Sequence, residues 1–74
     1  MNRSIEAHIR NMKKVFMFLR ENGGASPADI AKLLGVSNER GRQILVRLEK
    51  DGYVKTIGRG VRVPTKKFWD EITK

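Results

Sequence analysis

Glu39, Arg42, Gln43, Val46, Arg47 and Lys50 gather on one side of a helix when the stretch after Ser37 is wound at about 100° per residue, and Gly41, Ile44, Leu45 and Leu48 gather on the other. The first group has the chemistry of base recognition. A helix fits the major groove of B-form DNA, where each base pair offers its own pattern of donors, acceptors and methyl groups. Arg42 would fork onto guanine, Gln43 would pair bidentately with adenine, Glu39 would accept from cytosine, and Val46 would touch a thymine methyl. Asn38 lies on the flank, within reach of a base or a phosphate, and Arg40, Arg47 and Lys50 suit phosphates, which orient a protein without reading sequence. The plainer reading of the same pattern is an ordinary solvated helix surface. An apolar Val46 in the middle of it tilts the balance toward a partner.

Gly58-Arg59-Gly60 separates two short runs rich in β-branched and aromatic residues, Tyr53 to Ile57 and Val61 to Val63. This predicts a β-hairpin with a cation at its tip, free to approach a phosphate or a minor groove. Arg62, alternating with Val61 and Val63, is expected to face solvent and to add to the same positive edge. A glycine-rich turn with a solubilising arginine is the alternative.

Several elements must position these groups. Ile5, Ile9, Met12, Phe16 and Leu19 recur at helical spacing, predicting a first helix from about Ser4 to Asn22 that Gly23 closes as C′ residue. Ser26-Pro27-Ala28-Asp29 opens a second helix with a capping serine, a proline at the tolerated first position and an acidic residue facing the positive end of the helix dipole. Gly35 stops it about two turns later, Val36 tucks under the turn, and Ser37 caps the third helix, which reaches about Lys50. Asp51-Gly52 breaks that helix, Pro64 ends the second strand, and Thr65 is placed to cap a final helix to about Thr73 that offers Phe68, Trp69 and Ile72. The fold class is mainly α with a small β-hairpin.

Composition narrows the function classes. The chain has 74 residues, 39% hydrophobic and 32% charged, with 16 Lys+Arg against 8 Asp+Glu and a net charge of +8. This length suits one small domain, which leaves no room for a large internal substrate pocket. Without cysteine there is no disulfide framework, thiolate metal site or cysteine nucleophile. The longest apolar run, Val15 to Leu19, is far shorter than a membrane span, and no signal-peptide pattern opens the chain. A cytoplasmic, nucleoid-associated protein without membrane contact is therefore expected. The excess of positive charge predicts attraction to a polyanion, and nucleic acid is the most available one inside a cell.

From about Val15 to Pro64 the sequence resembles the winged helix-turn-helix regulators, among them MarR-like and ArsR-like repressors and the DNA-binding domain of the biotin operon repressor. The resemblance is carried by Pro27-Ala28-Asp29-Ile30-Ala31-Lys32-Leu33-Leu34-Gly35-Val36-Ser37 and by Leu45-Val46-Arg47-Leu48-Glu49-Lys50-Asp51-Gly52-Tyr53-Val54. It implies one winged helix-turn-helix domain over residues 1–74, with the helix-turn-helix at 26–50, the wing at 53–64 and a C-terminal helix at 65–73. In that family the outward side of the second helix of the motif reads the major groove and the wing tip reaches backbone or minor groove. Carried over, this implicates Asn38, Glu39, Arg42 and Gln43, with Arg59 in the wing. Gly41 departs from the small or β-branched apolar residue usual at its position, and is either a weak point in the helix or a site of close helix crossing. No effector domain accompanies the motif, which points away from ligand sensing. The Pro-x-Trp wing element of left-handed DNA binders is missing, since Pro64 and Trp69 are too far apart.

Met17 and Phe18 lie off the stripe of the first helix, and Phe68, Trp69 and Ile72 add further apolar surface. Either the last helix folds back on the first within one chain, or the two build a two-fold dimer that would present paired recognition helices about 34 Å apart. The dimer is expected, because one small domain makes few base contacts. The sequence offers little to catalysis. His8 is the only histidine, Asp70 and Glu71 project in different directions from a helix, and Gly58-x-Gly60 lacks the context of a phosphate loop, so no enzyme, cofactor, metal or small-molecule ligand is expected. Two functions stay open: a sequence-specific double-stranded DNA-binding regulator, read as a repressor, and a protein-interaction winged helix with incidental positive charge.

Overall fold

Helix α1 (Arg3–Asn22) ends where Gly23 adopts a left-handed conformation and donates its N–H to the Leu19 carbonyl at 2.8 Å. The computed structural model describes residues 3–73, and the side chains among them except those of 3–6 and 8, so the expectations for Ile5 and His8 lie outside the described residues.

Helix α2 (Pro27–Leu34) starts with the reciprocal cap that its sequence spells. Ser26 Oγ accepts from the Asp29 N–H at 3.2 Å, and Asp29 Oδ2 accepts from the Ser26 N–H at 3.0 Å. Gly35, at φ +69°, ends it, because the sharp turn needs a left-handed residue here and a side chain would strain it. Ser37 then caps α3 (Asn38–Lys50), its Oγ accepting from the Arg40 N–H at 3.1 Å. The two helices cross at Gly41. A Cβ there would stand 2.5 Å from the Pro27 carbonyl oxygen and 3.0 Å from the Ala31 nitrogen, both backbone atoms that cannot swing aside. Of the two readings of Gly41, close helix crossing is the one the fold uses.

Strands β1 (Val54–Ile57) and β2 (Val61–Pro64) pair antiparallel, from Val54 opposite Pro64 to Ile57 opposite Val61. Ala25 adds a contact not expected from the sequence. Its N–H donates to the Arg62 carbonyl and its carbonyl accepts from the Arg62 N–H, both at 2.8 Å, so the loop between α1 and α2 lies along the outer edge of β2. Helix α4 (Lys66–Ile72) follows directly.

Val15, Leu19, Ala25, Ile30, Leu45, Leu48, Val54 and Phe68 form one buried cluster. Full burial of a side chain of this kind contributes about 1.5–3 kcal/mol. Three details differ from expectation. On α1 the fully buried positions are Val15 and Leu19, Met12 and Phe16 pack on them partly buried, and Ile9 of the predicted stripe is 51% exposed. Phe68 is fully buried against Phe16, with ring centroids 5.0 Å apart, so α4 closes the core within the chain instead of offering this ring to a partner. Thr65 occupies the cap position of α4 without capping it. Its hydroxyl donates to the Gly52 carbonyl at 2.6 Å and its N–H to the Tyr53 carbonyl at 3.0 Å, tying α4 to the end of α3. Lys67 strengthens this tie, its ammonium donating to the Asp51 carbonyl at 2.6 Å while lying over the Tyr53 ring at 4.7 Å.

Candidate nucleic-acid interface

The third helix is held from behind. Gly41, Leu45 and Leu48 are buried against α2 and the core, which leaves Asn38, Glu39, Arg40, Arg42, Gln43, Arg47 and Lys50 exposed and Val46 half-buried among them. The structure thus brings the expected base-reading and phosphate-facing side chains to one open side of α3. A shallow depression of about 390 Å³ runs along it between Arg42, Val46 and Lys50. On the flank toward α1, Arg40, Gln43 and Arg47 line a groove of about 460 Å³ whose opposite wall is Ala7, Asn11 and Met12.

Two side chains of this face hold each other. Arg42 donates from Nε to Glu39 Oε2 at 3.2 Å and from a terminal nitrogen to Oε1, a fork onto a carboxylate one turn back. The Arg42 hydrogen bond, and then its charge, holds the Glu39 carboxyl below the usual glutamate range, and the same contact raises the Arg42 guanidinium. Both groups stay ionised at neutral pH. The pair is exposed, so it orients Arg42 more than it stabilises the fold. Further along, Arg47 approaches Asp51 at 3.4 Å across one helical turn.

At the wing, Arg59 is exposed at the tip between Gly58 and Gly60, both in the left-handed region at φ +52° and +86°. Arg62 is placed otherwise than expected. Its side chain is only 12% exposed, reaches back to the Gly60 carbonyl at 2.8 Å, and brings Nε to 3.9 Å from Glu49 Oε1. The reason is register. Val54 faces the core, and Thr56 and Arg62, opposite each other in the ladder, share its side, whereas Ile57 and Val61 turn outward. Alternation holds along β2, but Arg62 lies on the side that Val54 turns to the core and not on the solvent side expected of it.

Glu49 is the residue that sequence reasoning missed. Its carboxylate accepts from the Thr56 N–H at 3.3 Å and from the Thr56 hydroxyl at 2.9 and 3.0 Å, so the end of α3 grips the wing. The seven-residue separation crosses a helix break and falls on no helical or strand period. Only knowledge that Thr56 and Arg62 share the inner side of the hairpin would have exposed it.

No helix among the described residues is long and apolar enough to cross a membrane. Neither a curated protein nor a solved structure gives a match to the chain. A family described as winged helix-turn-helix DNA-binding matches residues 10–55, from the second turn of α1 into β1. That span is well over half of the 74 residues and holds both helices of the motif. The chain belongs to the winged helix-turn-helix DNA-binding family, with α2 and α3 as its helix-turn-helix and β1–β2 as its wing.

Proposed function

We propose that this protein is a sequence-specific double-stranded DNA-binding transcriptional regulator, acting as a repressor in a DNA-associated, cytoplasmic setting. The observation that carries the reading is the open side of α3, where Glu39, Arg42 and Gln43 are exposed with Val46 half-buried among them. In the major groove Arg42 and Gln43 read purine edges, Glu39 accepts from cytosine, Val46 meets a thymine methyl, and Asn38 contacts the flank. Arg40, Arg47 and Lys50 hold phosphates, while Arg59 reaches the backbone or the minor groove from the wing. Arg62 drops out of this set, because its side chain is only 12% exposed, turned back to the Gly60 carbonyl and toward Glu49. The whole of residues 1–74 acts as one binding unit and uses no cofactor, catalytic group or small-molecule ligand.

A homodimer through α1 and α4 supplies the second half-site. Met17, 57% exposed, and Trp69, 40% exposed, support it as apolar surface that the core does not use. The same two side chains favour the second reading, a protein-interaction winged helix.

Selection of bound duplexes from a random pool, followed by titration at several salt concentrations, tests the proposal. DNA recognition yields a defined, two-fold symmetric site and an affinity that falls by about 0.9 log unit per phosphate contact for each log unit of salt. A protein-docking module yields neither.

A further inference from the structure

The chain passes from α3 to the wing through the short Asp51–Tyr53 turn, and Val54 in the core and Ala25 along β2 hold the base of the hairpin. A contact from α3 itself would fix the angle of the wing against that helix. Glu49 has the contacts to do this. It lies on the last turn of α3, and its carboxylate accepts from the Thr56 backbone N–H and from the Thr56 hydroxyl, whose single proton is shared between the two oxygens. The pairing of β2 with Ala25 leaves β1 as the other edge of the sheet, and Glu49 occupies the N–H that Thr56 would otherwise present there. Behind it, the Arg62 Nε is buried without a hydrogen-bond partner and has the Glu49 carboxylate as its nearest opposite charge, at 3.9 Å.

A carboxylate at the end of a DNA-reading helix repels phosphate, so its presence calls for a reason. We propose that Glu49 is a positioning residue for DNA binding. It locks the wing to α3 through Thr56 and Arg62, and so fixes where Arg59 meets the duplex. The inference rests on the wing contact assigned to Arg59 above. Arg62 serves here as a counter-charge, which explains why a basic residue on the wing is turned inward.

Removing Glu49 has two opposed effects on affinity. It abolishes a repulsive charge, which strengthens binding to any duplex, and it frees the wing, which weakens the Arg59 contact. Absolute affinity is therefore a poor readout, and the coupling between Glu49 and Arg59 is the right one. The probe is a random-sequence duplex of about two helical turns, titrated with wild type, Arg59→Ala, Glu49→Ala and the double variant. In the wild-type background Arg59→Ala is expected to weaken binding about tenfold, the loss of one charge-assisted contact. In the Glu49→Ala background the same change is expected to cost about twofold or less. Arg40→Ala, on the far flank of α3, is expected to cost the same factor in both backgrounds. Thr56→Val removes the hydroxyl contact while leaving the backbone N–H and Arg62 on Glu49, and is expected to lower the coupling part of the way if Glu49→Ala folds poorly. Hydrogen exchange at the Thr56 amide is expected to speed up about tenfold or more in Glu49→Ala, with the core amide of Leu45 unchanged.

An Arg59→Ala penalty equal in both backgrounds overturns the inference while leaving the wing contact intact. Unchanged Thr56 exchange also overturns it. An Arg59→Ala variant that binds like wild type refutes the wing contact itself, and the inference falls with it.

Discussion

Gly41→Ala is the sharpest test of how α3 is held. Alanine is favoured over glycine in a helix interior by about 1 kcal/mol, so on α3 alone the change stabilises. The crossing with α2 opposes it. The added Cβ would lie 2.5 Å from the Pro27 oxygen and 3.0 Å from the Ala31 nitrogen, both well inside van der Waals contact. Neither atom belongs to a side chain that can rotate away, so α2 and α3 must move apart. Overpacking of this kind costs about 1–3 kcal/mol, and contact with backbone places it in the upper part of that range. The net loss expected is about 1–2 kcal/mol. For a domain of this size that lowers the melting temperature by roughly 5–15 °C. Thermal unfolding followed by circular dichroism measures it. Separation of the two helices also tilts α3 relative to the wing, so affinity for a selected duplex should fall by more than the unfolded fraction accounts for. A Gly41→Ala variant that melts higher than wild type would show that helix propensity wins and that the crossing is looser than the geometry requires.

Other consequences can be checked with the same protein. Arg42→Ala is expected to weaken a selected duplex by about ten- to a hundredfold and to relax preference at one base pair, whereas Arg59→Ala weakens all duplexes evenly, as competition titrations would show. Glu39→Gln leaves Arg42 a neutral acceptor and removes the charge that holds it and that repels phosphate; affinity for unselected duplexes should rise about fivefold while discrimination narrows, measured by anisotropy on matched and scrambled sites. Because Arg42 lowers the Glu39 carboxyl, the pair is intact above the usual glutamate range and breaks only as pH falls through the lowered value. Carboxyl carbon shifts in an NMR titration should give Glu39 a higher midpoint in Arg42→Ala than in wild type, and equal midpoints would rule the coupling out. Sedimentation across the micromolar range should show a dimer that Trp69→Ser dissociates.

Local signals carried much of the fold. Ser26 with Asp29, Gly35 and Ser37 act within one or two turns of themselves, and each does in the structure what its chemistry requires. The outward side of α3 was legible for the same reason, since a helix with Gly41, Leu45 and Leu48 on one side must turn Arg42, Gln43 and Val46 to the other. Contacts made across long separations were not legible. Ala25 against Arg62, Glu49 against Thr56 and Lys67 against the end of α3 depend on where the hairpin and α4 come to rest. Period-two alternation divided the second strand correctly into two sides, yet could not say which side meets the core. That decision came from Val54, across the ladder from Pro64, and it reversed the role of Arg62.

The charge of the molecule also differs from what a count suggests. With a net charge of +8 every arginine near α3 could be assigned to DNA, but three of them face carboxylates: Arg42 meets Glu39, Arg47 meets Asp51, and Arg62 meets Glu49. Arg40, Lys50 and Arg59 make no ion pair among the described residues, and in the proposed complex they are the cations free to meet phosphate without first leaving a carboxylate. If Arg42 reads a base as proposed, its pairing with Glu39 adds selectivity. To contact a base it must exchange the Glu39 carboxylate for guanine, which leaves that carboxylate facing the duplex. On a site with cytosine placed to donate to Glu39, the exchange is compensated. On other sites an unpaired negative charge is pressed against phosphate-lined DNA, so the same residue that orients Arg42 in the free protein penalises the wrong sequence.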